Sequence, residues 1–249
     1  MIYAAASLWL LVVTLLAWGV LSLWSPLAQP KAIDLFLWPG TALAKFGRIV
    51  GLLITGAKVV RGAAPGGSAD GGGQTGPEWQ PKLPVIGPVI VALGPMLALG
   101  GVFYLVVARL GMPVASSLPI DKVSTTVPST LAAFWDQLRA LVTLSEGTLN
   151  ALFSTGGALW KSALLAYLAS ALTIRLAPTP GNVRGHVAAV VLLGVAAALA
   201  GTIYESLPSV ILGAWPLLAF AVGLLLLLLI VSLLVRGVVS SARLILSAD

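Results

Sequence analysis

Two cationic side chains, Lys45 and Arg48, stand one helical turn apart inside an otherwise apolar stretch. The run reads Pro39-Gly40-Thr41-Ala42-Leu43-Ala44-Lys45-Phe46-Gly47-Arg48 and continues to Gly56-Ala57-Lys58-Val59. Two histidines four residues apart, as at positions 44 and 48, can hold zinc on one helix face, with a glutamate beside the first acting as general base on metal-bound water. Here the three positions read Ala44, Lys45 and Arg48. Alanine has no lone pair to give, and an ammonium cannot accept water's proton. A guanidinium fixes a positive charge where the metal would sit.

The other residues able to do chemistry are few. The chain has no cysteine, which excludes thiolate metal sites and cysteine nucleophiles, and a single histidine, His186. His186 stands beside Arg184 at the start of an apolar run and reads as solvated or interfacial. Ser68 and Asp70 have no histidine near them in sequence, so no serine-hydrolase triad is visible. Glu205, ahead of Leu207-Pro208, reads as a carboxylate in a solvated turn, with proton handling as the sharper alternative. Lys45 and Arg48 have two readings as intramembrane charges: snorkelling to the interface, or an ion pair with Asp34, Glu205 or an acid of another subunit.

A second segment, Leu165-Ala166-Tyr167-Leu168-Ala169-Ser170 through Arg175 to Pro178-Thr179-Pro180-Gly181-Asn182, follows in the expected order. Together the two stretches resemble the integral membrane zinc proteases of the site-2 type. That family carries Pro-Gly, His-Glu-x-x-His and Gly-Ala-Lys-Val, then a Pro-Ser-x-x-Asp whose carboxylate is a candidate third ligand. Ile86-Gly87-Pro88 is weakly similar too. The resemblance places Asn182 where that carboxylate would be, and an amide oxygen is a poor zinc ligand beside a carboxylate. It implies a degenerate, catalytically inactive relative: no enzyme, no metal, no cofactor, and an inherited helical frame serving other membrane proteins.

The elements that must position these residues are membrane helices. With 59% hydrophobic and 9% charged residues, the chain cannot cover a water-soluble surface. A crossing needs about 20 apolar residues. The expected fold is an all-α polytopic transmembrane bundle forming one membrane domain, with about six spans near 2–24, 35–56, 85–109, 151–174, 186–204 and 209–235. The first reads as a retained span rather than a signal peptide, since it lacks a basic leading region and its apolar run is too long.

Pro39 suits a first helical turn, where its missing N–H has no partner. Gly87-Pro88 and Gly94-Pro95 predict a kink in the third span. The Gly/Pro-rich stretch 57–84 reads as a flexible connector, and no Gly-Lys-Ser/Thr follows it to make a phosphate loop. Residues 128–147 place Leu131, Phe134, Trp135, Leu138, Leu141 and Val142 on one face, as in an interfacial amphipathic helix capped by Ser129 or Thr130. Gly47-x-x-x-Gly51 is a small-residue pair that lets another helix approach closely. With Gly94 and Pro95 it marks candidate packing or partner-binding positions.

The net charge of +6 comes from scattered Lys and Arg rather than a basic patch, so nucleic acid is not expected. Lipid and other membrane subunits are. Placing Lys58, Arg61, Lys82, Arg175, Arg184, Arg236 and Arg243 on one side predicts a multi-pass protein of a cell inner membrane with both termini cytoplasmic. The eight tryptophans are expected in interfacial belts and lipid contacts. A small anion transporter or channel built on the kinked third span and the buried cations is the competing class.

Overall fold

A computed structural model of the protein describes residues 2–56, 58–60, 78–80, 87–111, 114, 117–118, 124–154, 159–178 and 183–246. Its helices are α1 (Ile2–Trp24), α2 (Pro30–Phe36), α3 (Trp38–Ile54), α4 (Gly87–Val106), α5 (Leu131–Ser154), α6 (Leu159–Ile174), α7 (Val183–Ile203) and α8 (Leu207–Leu246). Helix α4 continues as a π-helical turn, Val107–Gly111. Two short strands, β1 (Lys58–Val60) and β2 (Glu78–Gln80), pair antiparallel with Val59 opposite Trp79. The expected connector 57–84 is thus held together near its ends, and most of it lies outside the described residues.

Among the described residues, four helices are long and apolar enough to cross a bilayer: α1, α4 with its π turn, α7 and α8. Helices α2 and α3, bent by 91°, make a fifth crossing if taken as one span. The expected second span therefore does not start as a straight helix at residue 35. Pro39 has no N–H for the Leu35 carbonyl, so the ladder breaks at Leu37. Leu37 donates its N–H to Ile33 O and accepts one from Thr41, joining the two helices at the corner. Helix α3 ends where Gly56 adopts φ 61°, the left-handed conformation that glycine takes without penalty.

The expected fourth span, 151–174, is not one helix. Helix α5 runs 24 residues, past the predicted end at 147, and stops at Ser154, while α6 is a separate helix of only 16 residues. At 1.5 Å per residue α6 is about 24 Å long, short of a hydrocarbon core of about 30 Å. Its C-terminus is set by proline chemistry, since neither Pro178 nor Pro180 has an N–H for the carbonyls of Ile174 and Leu176. Thr130 caps α5, accepting a 3.2 Å bond from the Ala133 N–H. Of the apolar face expected on this helix, Leu131, Phe134, Trp135, Leu138 and Val142 are exposed. Leu144, Ser145, Thr148 and Ala151 are buried.

The third span runs through Pro95 as a continuous helix. The sixth reaches Leu246, because the polar Arg-Gly-Val-Val-Ser-Ser stretch after Val235 contains nothing that stops a helix.

Contacts fix the direction of each helix. Going up α1, Ala6, Leu10 and Val13 share a cavity wall with Ile211, Trp215 and Ala221 of α8. Gly19 then faces Leu229, and Trp24 Nε1 donates a 2.8 Å hydrogen bond to Ser232 Oγ. The two helices are parallel, so Ile2 and Leu246 lie at opposite ends of the bundle. This corrects the expectation that both termini share a side. Helix α3 runs antiparallel to α4, with Gly47 against Gly94 and Gly51 against Ile90. Its N-terminal corner lies near the top of α1, where Phe36 packs on Trp24 with ring centroids 6.1 Å apart. Lys58 therefore follows the lower end of the bundle and Arg236 lies at the upper end. Of the basic residues grouped on one side by sequence, Lys58 and Arg236 thus lie at opposite ends, and Arg61 and Lys82 lie outside the described residues.

The core lies among α1, α4, α6 and α8, where Val13, Leu99, Leu165, Leu172, Phe220 and Leu225 are at most 2% exposed. Trp9 and Trp215 are buried too, against the expectation of interfacial tryptophans, while Trp18, Trp38, Trp135 and Trp160 are exposed.

Candidate functional site

The site-bearing helix is α3, and its two faces differ. Gly47 and Gly51 are buried against α4. A Cβ at Gly47 would stand 2.6 Å from the Gly94 carbonyl oxygen and 2.7 Å from Pro95 Cα, so backbone meets backbone. Lipid supplies no hydrophobic drive to join helices, and such close approach is how small residues hold them together. Gly47, Gly51, Gly94 and Pro95, singled out by sequence, are thus brought together at one contact. Gly40 seals the upper end, because a Cβ there would run into the Ala171 carbonyl and Arg175 of α6.

The outer face carries the cations. At 100° per residue Lys45 and Arg48 lie about 200° and 100° around the helix from Gly47. Both are exposed, among Phe46, Ile49, Val50, Leu53 and Ile54, which are exposed as well. Lys45 is about 10 Å and Arg48 about 15 Å from the start of α3. Each would cost about 2.5–3.5 kcal/mol at the centre of a membrane helix.

Neither carboxylate proposed for them is their partner. Asp34 of α2 is taken by Arg175 at the end of α6, an ion pair that ties the α2 corner to the bundle. Glu205 is exposed in the turn after α7. No ion pair reaches Lys45 or Arg48 among the described residues. Ala44, half-buried, packs against the core cluster. Asn182 lies outside the described residues.

The end of α6 contains features that sequence reading missed. His186 is 6% exposed rather than solvated, and its Nε2 lies 3.1 Å from the Leu176 carbonyl oxygen. Leu176 is four residues before Pro180, so its carbonyl has no helical donor and the imidazole supplies one. The proline spacing was a readable signal for that orphan carbonyl. Arg175 Nε is buried without a hydrogen-bond partner among the described residues. The nearby hydroxyls are committed locally: Thr173 donates to Ala169 O at 2.7 Å and Ser170 to Ala166 O at 2.6 Å.

Beside this break lies a cavity of about 280 Å³ whose walls, including Leu10, Phe103, Leu172 and Trp215, are almost wholly apolar. Among the described residues, no three His, Asp or Glu side chains converge as metal ligands would. The arrangement is that of a multi-pass helical membrane protein with one rigidly backed, outward-facing cationic helix. Compared with known proteins, the chain matches no family model, no curated protein and no solved structure.

Proposed function

We propose that this membrane protein is a non-catalytic accessory or adaptor subunit of a larger membrane complex, with the degenerate frame of a site-2-type protease. One observation carries the reading: Lys45 and Arg48, at two of the degenerate zinc-site positions, face outward from a helix whose inner face is sealed by glycine packing. Charges exposed at that depth are costly in lipid and are relieved by an opposite charge on a neighbouring chain. On this reading α6 is a short sixth crossing or half-crossing inside the bundle, and the residence is a cell inner membrane.

Mass spectrometry of the assembly extracted in mild detergent from native membranes tests this. Reproducible stoichiometric partner subunits are the expected result. A lone chain or a simple homodimer would overturn the reading.

A second reading, a small transporter, is favoured by the break between α6 and α7, where His186 meets the freed Leu176 carbonyl and Arg175 Nε is buried without a hydrogen-bond partner among the described residues. Discontinuous helices mark substrate sites in transporters. That reading expects anion counterflow in reconstituted vesicles that disappears in Arg175→Ala, and vesicles silent with the unaltered protein would remove it.

A further inference from the structure

We infer that the outer face of α3 docks a single membrane helix bearing one or two carboxylates at mid-depth, an inference that rests on the accessory-subunit reading and names the chemistry of its partner. The warrant is charge complementarity. Lys45 and Arg48 are three residues apart and rise about 4.5 Å along the axis, a spacing that acids at i and i+3 of a neighbouring helix reproduce. Around them Phe46, Ile49 and Leu53, between 55% and 73% exposed, supply apolar contact area. The Gly47 and Gly51 contact on the opposite side holds the face rigid, so docking orders little that is not ordered already.

The same charges exclude other occupants. A second copy meeting this face by two-fold symmetry would set cation against cation. Lys45 lies about 10 Å from the Trp38 end of α3 and Arg48 about 9 Å from its Ile54 end, so a headgroup at either interface approaches only one of them, whereas two carboxylates on a spanning helix meet both. Among the described residues no acid of this chain fills the role: no ion pair reaches either cation, Asp34 is bound to Arg175, and Glu205 lies beyond the end of α7.

The test uses the full chain in phosphatidylcholine vesicles and a synthetic Leu/Ala helix of about 20 residues with two aspartates three residues apart at its middle. Energy transfer between the labelled peptide and labelled protein reads binding. The expected result is binding at least about tenfold tighter than that of the same peptide with asparagines, a preference lost in the Lys45→Gln/Arg48→Gln variant. Both side chains are exposed, so the variant keeps its packing. Equal binding of the two peptides overturns the inference. So does enrichment of phosphatidylglycerol around the protein, in vesicles to which that lipid is added, that depends on the two cations while the aspartate peptide shows no preference.

The native assembly separates this inference from the reading beneath it. Stoichiometric partners that stay bound to Lys45→Gln/Arg48→Gln keep the accessory role and remove the docking face. A chain that is isolated alone yet selects the aspartate peptide does the reverse.

Discussion

Gly47→Leu is expected to separate α3 from α4 and to cost about 3 kcal/mol or more of bundle stability, the upper end of what overpacking does. The cost is high because the new side chain meets backbone on the opposite helix, the Gly94 carbonyl and Pro95 Cα, and backbone cannot rotate away as a side-chain tip can. Gly94 reciprocates, since a Cβ on it would strike the Gly47 carbonyl. Equilibrium unfolding in mixed detergent micelles measures the loss, with Gly47→Ala falling between leucine and the unaltered protein. Gly100→Ala and Gly101→Ala are the controls: a Cβ at either position meets nothing within 4 Å, and alanine is the better helix former. A Gly47→Leu variant as stable as these controls would show that the glycine contact does not hold the pair together.

Phe220→Ala carries the second large effect. Phe220 is fully buried and stacks on Phe103 with centroids 6.2 Å apart, joining α8 to α4 beside the existing apolar cavity. Phenylalanine truncation in water-soluble cores costs about 3–5 kcal/mol, part of it the return of apolar surface to water. In a bilayer that part shrinks, because lipid is as apolar as the core, and the loss of packing remains. The expected cost is about 2–3 kcal/mol by the same unfolding measurement, with Phe220→Leu recovering more than half. A neutral Phe220→Ala would mean that α8 leans on its other contacts rather than on this stack.

The long spans were readable because little besides a bilayer crossing calls for an unbroken apolar run of about 20 residues. The α3 glycine contact was readable too, since Gly47-x-x-x-Gly51 and Gly94-Pro95 give up side-chain bulk where two helices must come close. What failed depended on partners or on breaks. Mean hydropathy joined residues 151–174 into one span, although Ser154-Thr155-Gly156-Gly157 interrupts the run and Pro178 with Pro180 ends it. Pro39 suits a first helical turn, but its missing N–H also forbids α2 from running straight into α3. Hydropathy has no direction, so the parallel course of α1 and α8, set by Gly19, Trp24 and Ser232, could not be read from it. The outward aim of Lys45 and Arg48 follows from helical geometry once the glycine face is known to be the inner one. His186 required knowing which carbonyl had lost its donor.

Helix α8 is apolar from Val210 to Val235, a rise of about 39 Å, against a hydrocarbon core of about 30 Å. Tilting is one way for a helix with that much oily length to relieve the excess. Helix α1 is fastened alongside it from Ala6 to Trp24 and must tilt with it. The bundle then stands in the bilayer as an oblique post, and the stretch from Arg236 to Leu246 leaves the membrane along that slant, overhanging the lipid or the neighbour on one side of the protein.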